Sequence, residues 1–343
     1  MELTIVGTSL GRTILGTEQN IRHLSRDDLT QYIQQNYLAP RMVVAAAGGV
    51  GHDEVCKLSE AAFGHLPNSA PATDAVTHEP ARFTGSEVRL RDDHMSVSHI
   101  ALAVEGAGWQ SKDHIPLLLV QAIVGSWDRA LGGGQNLSSR LAQEVQLGKL
   151  ANSFMSFNTS YTDTGLFGMY LTTESSHTQD DLIYVVYREW IRIAMNCTEM
   201  DLARAKNQLK ASLLLQLDGT TPTAEEIGRQ LLTYGRRIAP QEMEAMIDAV
   251  DVKTIRRVAQ KYLYDRDFAL AAIGSIESLP DYNRIRSVFS FSLSLWPSSC
   301  MPWFASLGDL LMCLMPLQID DEHEPLLNRV GRLLHRMNTV PCL

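Results

Sequence analysis

The chain has 343 residues, 45% apolar and 20% charged, with a formal net charge of −9; such a composition buries the cores of about two domains. No Lys/Arg block stands out and aromatics are not interleaved with basic residues, which argues against nucleic acid as a partner. Five cysteines, Cys56, Cys197, Cys300, Cys313 and Cys342, show no C-x-x-C and no regular spacing, so they read as reduced thiols and not as a disulfide framework.

From Met1 to Gly16 there is neither a basic leader with an apolar h-region nor an Arg-rich, acid-poor amphipathic stretch, so no targeting address is legible. Ser25 and Asp28 form a capping-box pair that starts a helix carrying Leu29, Ile33 and Tyr37 on one stripe, and Pro40 stops it. Residues 42–48 read as a buried strand. His52 to Phe63 then reads as a helix ended by Gly64, with Cys56 in its core-facing positions. Residues 68–82, rich in Ala, Pro, Thr and Asn, read as a linker.

Two strands are expected between 85 and 105, then a helix over 113–127 that meets Gly132, Gly133 and Gly134. Asn136 to Ser139 offers caps for a helix that places Leu137, Leu141 and Val145 on one face. Phe154, Ser156, Asn158 and Ser160 alternate against Met155, Phe157 and Thr159, and the run from Leu166 to Thr172 follows a turn, so the two form a hairpin. Helices are expected over 182–195, 199–217, 224–234, 240–250 and 252–264, with Thr198, Thr223 and Asp251 as N-caps. Phe268 to Ile273 returns to strand. One mixed sheet covered by helices, strands first and helices after, is the α+β pattern.

From Val288 the character changes. Residues 288–308 carry no charge, and the tail holds three of the five cysteines. Pro297, Pro302 and the serines oppose a membrane span, so a poorly ordered tail is expected.

No metal motif of the form H-E-x-x-H or H-x-x-E-H occurs. The nearest echo is Glu322-His323, with Ile319 where a first ligand belongs. His94 and His99, five apart at a strand start, are expected on opposite faces. No G-x-S-x-G elbow offers a serine nucleophile, and Asp92-Asp93 reads as a solvated pair. The residues alone therefore yield no catalytic and no metal site. Gly132, Gly133 and Gly134 remain open to two readings, a flexible connection or a mobile loop that touches an extended peptide.

Several blocks in one order carry a resemblance: Arg41 to Val50, Phe83 to Asp93, Ser156 to Gly165, Leu214 to Pro222, Glu225 to Gln230, Tyr234 to Ile238 and Leu279 to Ser287. Over roughly residues 7 to 287 the chain resembles the pitrilysin-type (M16) metallopeptidases. Within them it is similar to the branch that holds mitochondrial processing peptidase β subunits and the core I proteins of the respiratory cytochrome bc complex. The resemblance implies two related α+β domains paired with an α subunit around a chamber, in mitochondria, on the matrix side. It implies zinc as the family's cofactor, held by an H-x-x-E-H motif upstream of the segment resembling residues 7–16, so that this chain starts after the chemistry. The organisation it implies is a remnant of a first domain at 1–67, a linker at 68–82, a second, non-zinc domain at 83–287 and an unrelated tail at 288–343. A truncated product is expected over a separately made non-catalytic form.

The activity implied is removal of presequences from imported mitochondrial precursors, with an α subunit and presequence peptides as partners. A core I scaffold of respiratory complex III is the alternative, and a stand-alone binding module a third. Gln146 and Asn152 fall where catalytic relatives carry Arg and Tyr, and neither stabilises an oxyanion as those would. The resemblance places Gly132, Gly133 and Gly134 where the partner α subunit has its longer substrate-guiding loop, so they are expected to face substrate or partner.

Overall fold

The computed structural model describes residues 11, 12, 15–68, 80–134, 137, 139–174 and 177–287. Its first helices are set by capping chemistry. Thr17 accepts from the Asn20 N–H to begin α1 (Glu18–His23), a helix that periodicity did not reveal. Ser25 and Asp28 make the expected capping box on α2 (Arg26–Asn36). Pro40 falls in a tight turn at Ala39–Arg41, after α2 has already ended. α3 (His52–Phe63) closes on Gly64.

None of these three helices contains a buried residue. Leu29, Ile33 and Tyr37 are each more than half exposed, so their stripe is formed but covered by nothing among the described residues. Residues 42–48 correct the expectation of a buried strand: they form neither helix nor strand, and Val44 is 51% exposed. A strand exists only through hydrogen bonds to a neighbouring strand, and these residues have none among the described part. They run instead beside a helix further on, where a Cβ at Gly48 would lie 3.4 Å from the Thr220 methyl and one at Gly228 3.6 Å from Ala45.

The centre of the fold is a mixed sheet of β1 (Ser86–Arg91), β2 (Ser98–Gly106), β3 (Ser126–Asp128), β4 (Ser153–Ser160), β5 (Gly165–Thr173) and β6 (Ala269–Gly274), in the order β1-β6-β2-β5-β4-β3. β1 pairs with β6 in parallel; the other pairings are antiparallel. β4 and β5 make the expected hairpin, with Phe154 opposite Leu171 and Ser156 opposite Met169.

One face of this sheet shares a core with α4 (His114–Val124), α5 (Arg140–Gly148), α6 (Gln179–Asn196), α7 (Glu199–Gln216), α9 (Pro240–Asp248) and α10 (Val252–Tyr262), to which α8 (Thr220–Tyr234) adds no residue. Ile100, Leu102 and Val104 of β2 and Phe167, Met169 and Leu171 of β5 are buried under them. Trp190 of α6 meets Phe167 edge-on at 6.1 Å, and Tyr187 meets Phe268 at 5.8 Å. Full burial of each such apolar side chain is worth about 1.5–3 kcal/mol.

α10 is tied to the start of α4 by Asp113, whose side chain is 8% exposed and accepts from Arg257 (2.8 Å), Lys261 (2.8 Å) and the Tyr262 hydroxyl (3.1 Å). Burial alone would raise the Asp113 carboxyl; the bonds and charges of Arg257 and Lys261 together outweigh it and hold the group below its ordinary range.

Several element boundaries differ from expectation by one to four residues, two of them at a glycine. The helix expected over 113–127 ends at Val124, because Gly125 turns the chain at φ +74 and Trp127 enters β3. α8 begins at Thr220 behind Gly219, so Thr223 is no cap; its hydroxyl bonds the Gly219 carbonyl from inside the helix. Thr198 and Asp251 are N-caps as expected. No helix among the described residues is long and apolar enough to cross a membrane. The tail at 288–343 and most of the linker lie outside the described residues.

Candidate functional site

Among the described residues no helix packs closely on the other face of the sheet, and the period of two decides what it presents. His99, Ala101 and Ala103 of β2 stand there opposite Thr172, Tyr170 and Gly168 of β5; Met155 and Phe157 of β4 follow, opposite Tyr170 and Gly168. Ala271 and Ile273 of β6 extend the face to Val88 and Leu90 of β1. Met155 is 53% exposed and Tyr170 37%. Ile273, Val88 and Leu90 add further exposed apolar side chains to this face, while Ala103 and Gly168 in its middle are buried.

Local packing fixes the middle of this strip. The Phe157 ring lies across Gly168, where a Cβ would come within 2.6 Å of it, so glycine at 168 is what lets the aromatic lie flat. His99 Nδ1 and the Tyr170 hydroxyl share a hydrogen bond of 2.7 Å, with their rings stacked at 5.9 Å. Sequence reading missed this pair. The legible signal was the hairpin itself, whose outward positions Met155, Phe157 and Tyr170 are as apolar as its inward ones.

At one end the face opens into a basin of 720 Å³ lined by His94, His99, Asp128, Arg129, Asn152 and Glu174, among others. Arg129 and Glu174 form an exposed ion pair at 3.9 Å, and Ser153 and Thr172 share a hydroxyl bond of 2.7 Å. His94 precedes β2 in a turn, so the parity argument that separated it from His99 does not apply and both line the one basin.

Gly132, Gly133 and Gly134 lie at the edge strand, just beyond the basin. The Trp127 indole N–H holds the Gly132 carbonyl at 2.9 Å, and the Asp128 carboxylate accepts from the Ala130 N–H at 2.8 Å. Gly132 has φ +80 and Gly134 φ +132, with open space where either Cβ would stand; a Cβ at Gly133 would strike the Gln146 side chain. Gln146 thus lies under the loop and Asn152 in the basin. The glycines follow a single 3-10 turn, Arg129–Leu131, that leaves β3.

The two described cysteines differ in access. Cys56 is exposed, against the expectation of a core position, with His52 Nε2 one helical turn away at 3.5 Å. Cys197 is buried, and burial pushes its thiol up to about 11. Among the described residues no three His, Cys, Asp or Glu side chains come together to hold a metal ion. The zinc of the M16 family therefore does not fit these described residues.

The family model described as Peptidase M16 inactive domain matches residues 23–209, more than half of the chain. The chain belongs to the M16 peptidase family. The mitochondrial-processing peptidase subunit beta of Blastocladiella emersonii is 55% identical over 282 residues, 82% of this chain and 60% of that protein. The human protein of the same name is 52% identical over 287 residues, 82% of this chain and 57% of its own length. Among solved structures, a chain of complex III2 from Candida albicans, Inz-5 bound, superposes with a TM-score of 0.78 at 30% identity, covering 83% of this chain and 67% of that one. The chain thus spans about three fifths of the length of these processing-peptidase relatives. The M16 fold also agrees with the expected helix-covered mixed sheet.

Proposed function

We propose that this chain is the non-zinc part of a mitochondrial processing peptidase β subunit, acting on presequences in mitochondria together with an α subunit. Residues 83–287 form its second M16 domain, and residues 1–67 belong to the first. The observation that carries this reading is the 55% and 52% identity to relatives of that name, well above the 30% to the complex III chain. The open sheet face is the surface that an enclosed peptide meets: apolar at Met155, Phe157 and Tyr170, and charged at the basin end. β3 is the terminal strand of the sheet, so among the described residues its outer backbone edge has no neighbouring strand and offers itself to an extended peptide. Gly132, Gly133 and Gly134 flank that edge and face substrate or partner.

The test is a chimera joining the part of the Blastocladiella emersonii protein that this chain does not match to residues 15–287, co-purified with an α subunit. It is expected to bind zinc and cleave a fluorogenic presequence peptide, while the chain alone binds no stoichiometric zinc by atomic absorption and cleaves nothing. A folded, zinc-loaded chimera without cleavage would refute the peptidase reading. The second reading, a core scaffold of complex III, is favoured by the structural likeness, and co-purification of the same chimera with complex III subunits would support it.

A further inference from the structure

Residues 15–67 present apolar helix faces that nothing among the described residues covers. They are a small part of the described chain, yet roughly half of its exposed large apolar side chains lie in them. The exposure is patterned. On α2, Leu29, Tyr32 and Ile33 are exposed together at the three-and-four spacing of a helix that packs on a core, and Tyr37 continues the stripe at the C-cap. On α3, Leu58 and Phe63 are exposed. Scattered exposed leucines are ordinary, whereas a helix face left bare along its length marks a contact surface. The segment is anchored all the same: Leu38 is buried, and the Ala39 N–H donates to the Pro67 carbonyl at 3.3 Å.

The backbone between α2 and α3 is unpartnered as well. Among the described residues, Val43 to Ala47 make no backbone hydrogen bond. Successive peptides without a partner are the mark of a strand that lacks its neighbour. The run from Met42 to Val50 carries no charge and no proline, the devices that keep solvent-facing strand edges from pairing. Thr220 and Gly228 of α8 stand against Gly48 and Ala45. These approaches are made on the side-chain side of the run and occupy none of its backbone groups.

We propose that residues 15–67 are the docking face for the polypeptide that the matched relatives carry beyond the region this chain spans. That partner adds a β-strand to residues 42–48 and lays an apolar surface on the stripes of α2 and α3. The proposal rests on the reading of residues 1–67 as part of a first domain, and goes beyond it in that the face captures this partner as a separate chain. The occupant is large enough: the match covers 60% of the Blastocladiella emersonii protein and 57% of the human one, which leaves about two fifths of each, a length of domain size. Strand addition satisfies the open peptides, and burial of the stripes supplies the apolar driving force. A second copy of this chain would offer one strand to another, and a two-stranded sheet is marginal in water.

The experiment co-expresses the full 343-residue chain with the unmatched part of the Blastocladiella emersonii protein as a separate, tagged polypeptide. An equimolar complex is expected by affinity capture and light scattering, with the amides of residues 43–47 exchanging hydrogen about tenfold or more slowly than in the chain alone. Ile33 and Val44 are exposed in the chain alone, so Ile33→Asp and Val44→Asp should leave its melting temperature nearly unchanged. Each should weaken the complex by about tenfold or more, because the new carboxylate is buried without a partner. Tyr184→Asp, at an equally exposed position on α6, should leave the complex intact. Failure to form the complex, unchanged exchange at 43–47 within it, or unchanged affinity in both folded aspartate variants would each overturn the proposal. So would a homodimer of the chain alone that protects the same amides. None of these readouts involves zinc or cleavage, so failure of the docking face is told apart from failure of the processing-peptidase reading, which the chimera tests.

Discussion

Replacing Gly132 by alanine tests whether the glycine loop beside the basin holds a defined conformation. At φ +80 and ψ −168 Gly132 occupies backbone space that is essentially reserved for glycine, so an alanine there costs about 1–3 kcal/mol. No steric relief or clash complicates the estimate, since nothing lies within 4 Å of the added methyl. A domain of roughly 150–250 residues loses about 2–4 °C per kcal/mol, so the melting temperature should fall by roughly 2–12 °C. Gly133 is the internal control. Its φ lies outside the left-handed region, and the obstacle to a Cβ is the flexible Gln146 side chain. In a Gln146→Ala background, Gly133→Ala should be stabilising by about 0.4–1 kcal/mol through the unfolded chain. Scanning calorimetry reads both effects, and Trp127 fluorescence reports whether its bond to the Gly132 carbonyl survives. If Gly132→Ala melts within a degree of the wild type, the loop is not held at this φ and the reasoning fails. The same geometry rules out a triple alanine variant as a neutral probe of substrate contact, because two of its three changes strain the backbone.

Asp113→Asn should destabilise by about 1–3 kcal/mol, below the value for a fully buried pair because Arg257 and Lys261 are about half exposed. Since the folded carboxyl is held low, its contribution is present above about pH 4 and is lost as the pH falls through the folded value; urea titrations in which the difference between variant and wild type grows with acidity would refute this. Burial alone pushes the His114 imidazole down to about 4, so its Cε1 proton shift should stay flat from pH 8 to 5.5. The neutral ring then contributes stability above the ordinary value near pH 6.5, and that contribution declines as the pH falls toward 4; an NMR midpoint above 5.5 would contradict the burial. Tyr170→Ala on the open face should shift the melting temperature little while raising the KM of the chimera for a presequence peptide; a large fall in melting temperature with unchanged KM would make Tyr170 structural.

Local chemistry alone was enough to place the caps at Ser25, Thr198 and Asp251 and the hairpin of β4 and β5, because each depends on residues within a few positions of one another. The resemblance in the blocks from Arg41 to Ser287 led to the M16 family for a related reason: short motifs survive as strings whatever packs on them. Other features needed tertiary structure. Residues 42–48 have every local mark of a strand and are not one, since a strand is completed by a neighbour that local pattern does not supply. Trp127 joins a sheet edge and not a helix because Gly125 turns the chain and β4 offers it a partner. The basin joins His94 and His99 to Asn152 and Glu174 through strand order. Pairing between residues far apart in the chain decides which side chains share a face, and neither periodicity nor composition carries that information.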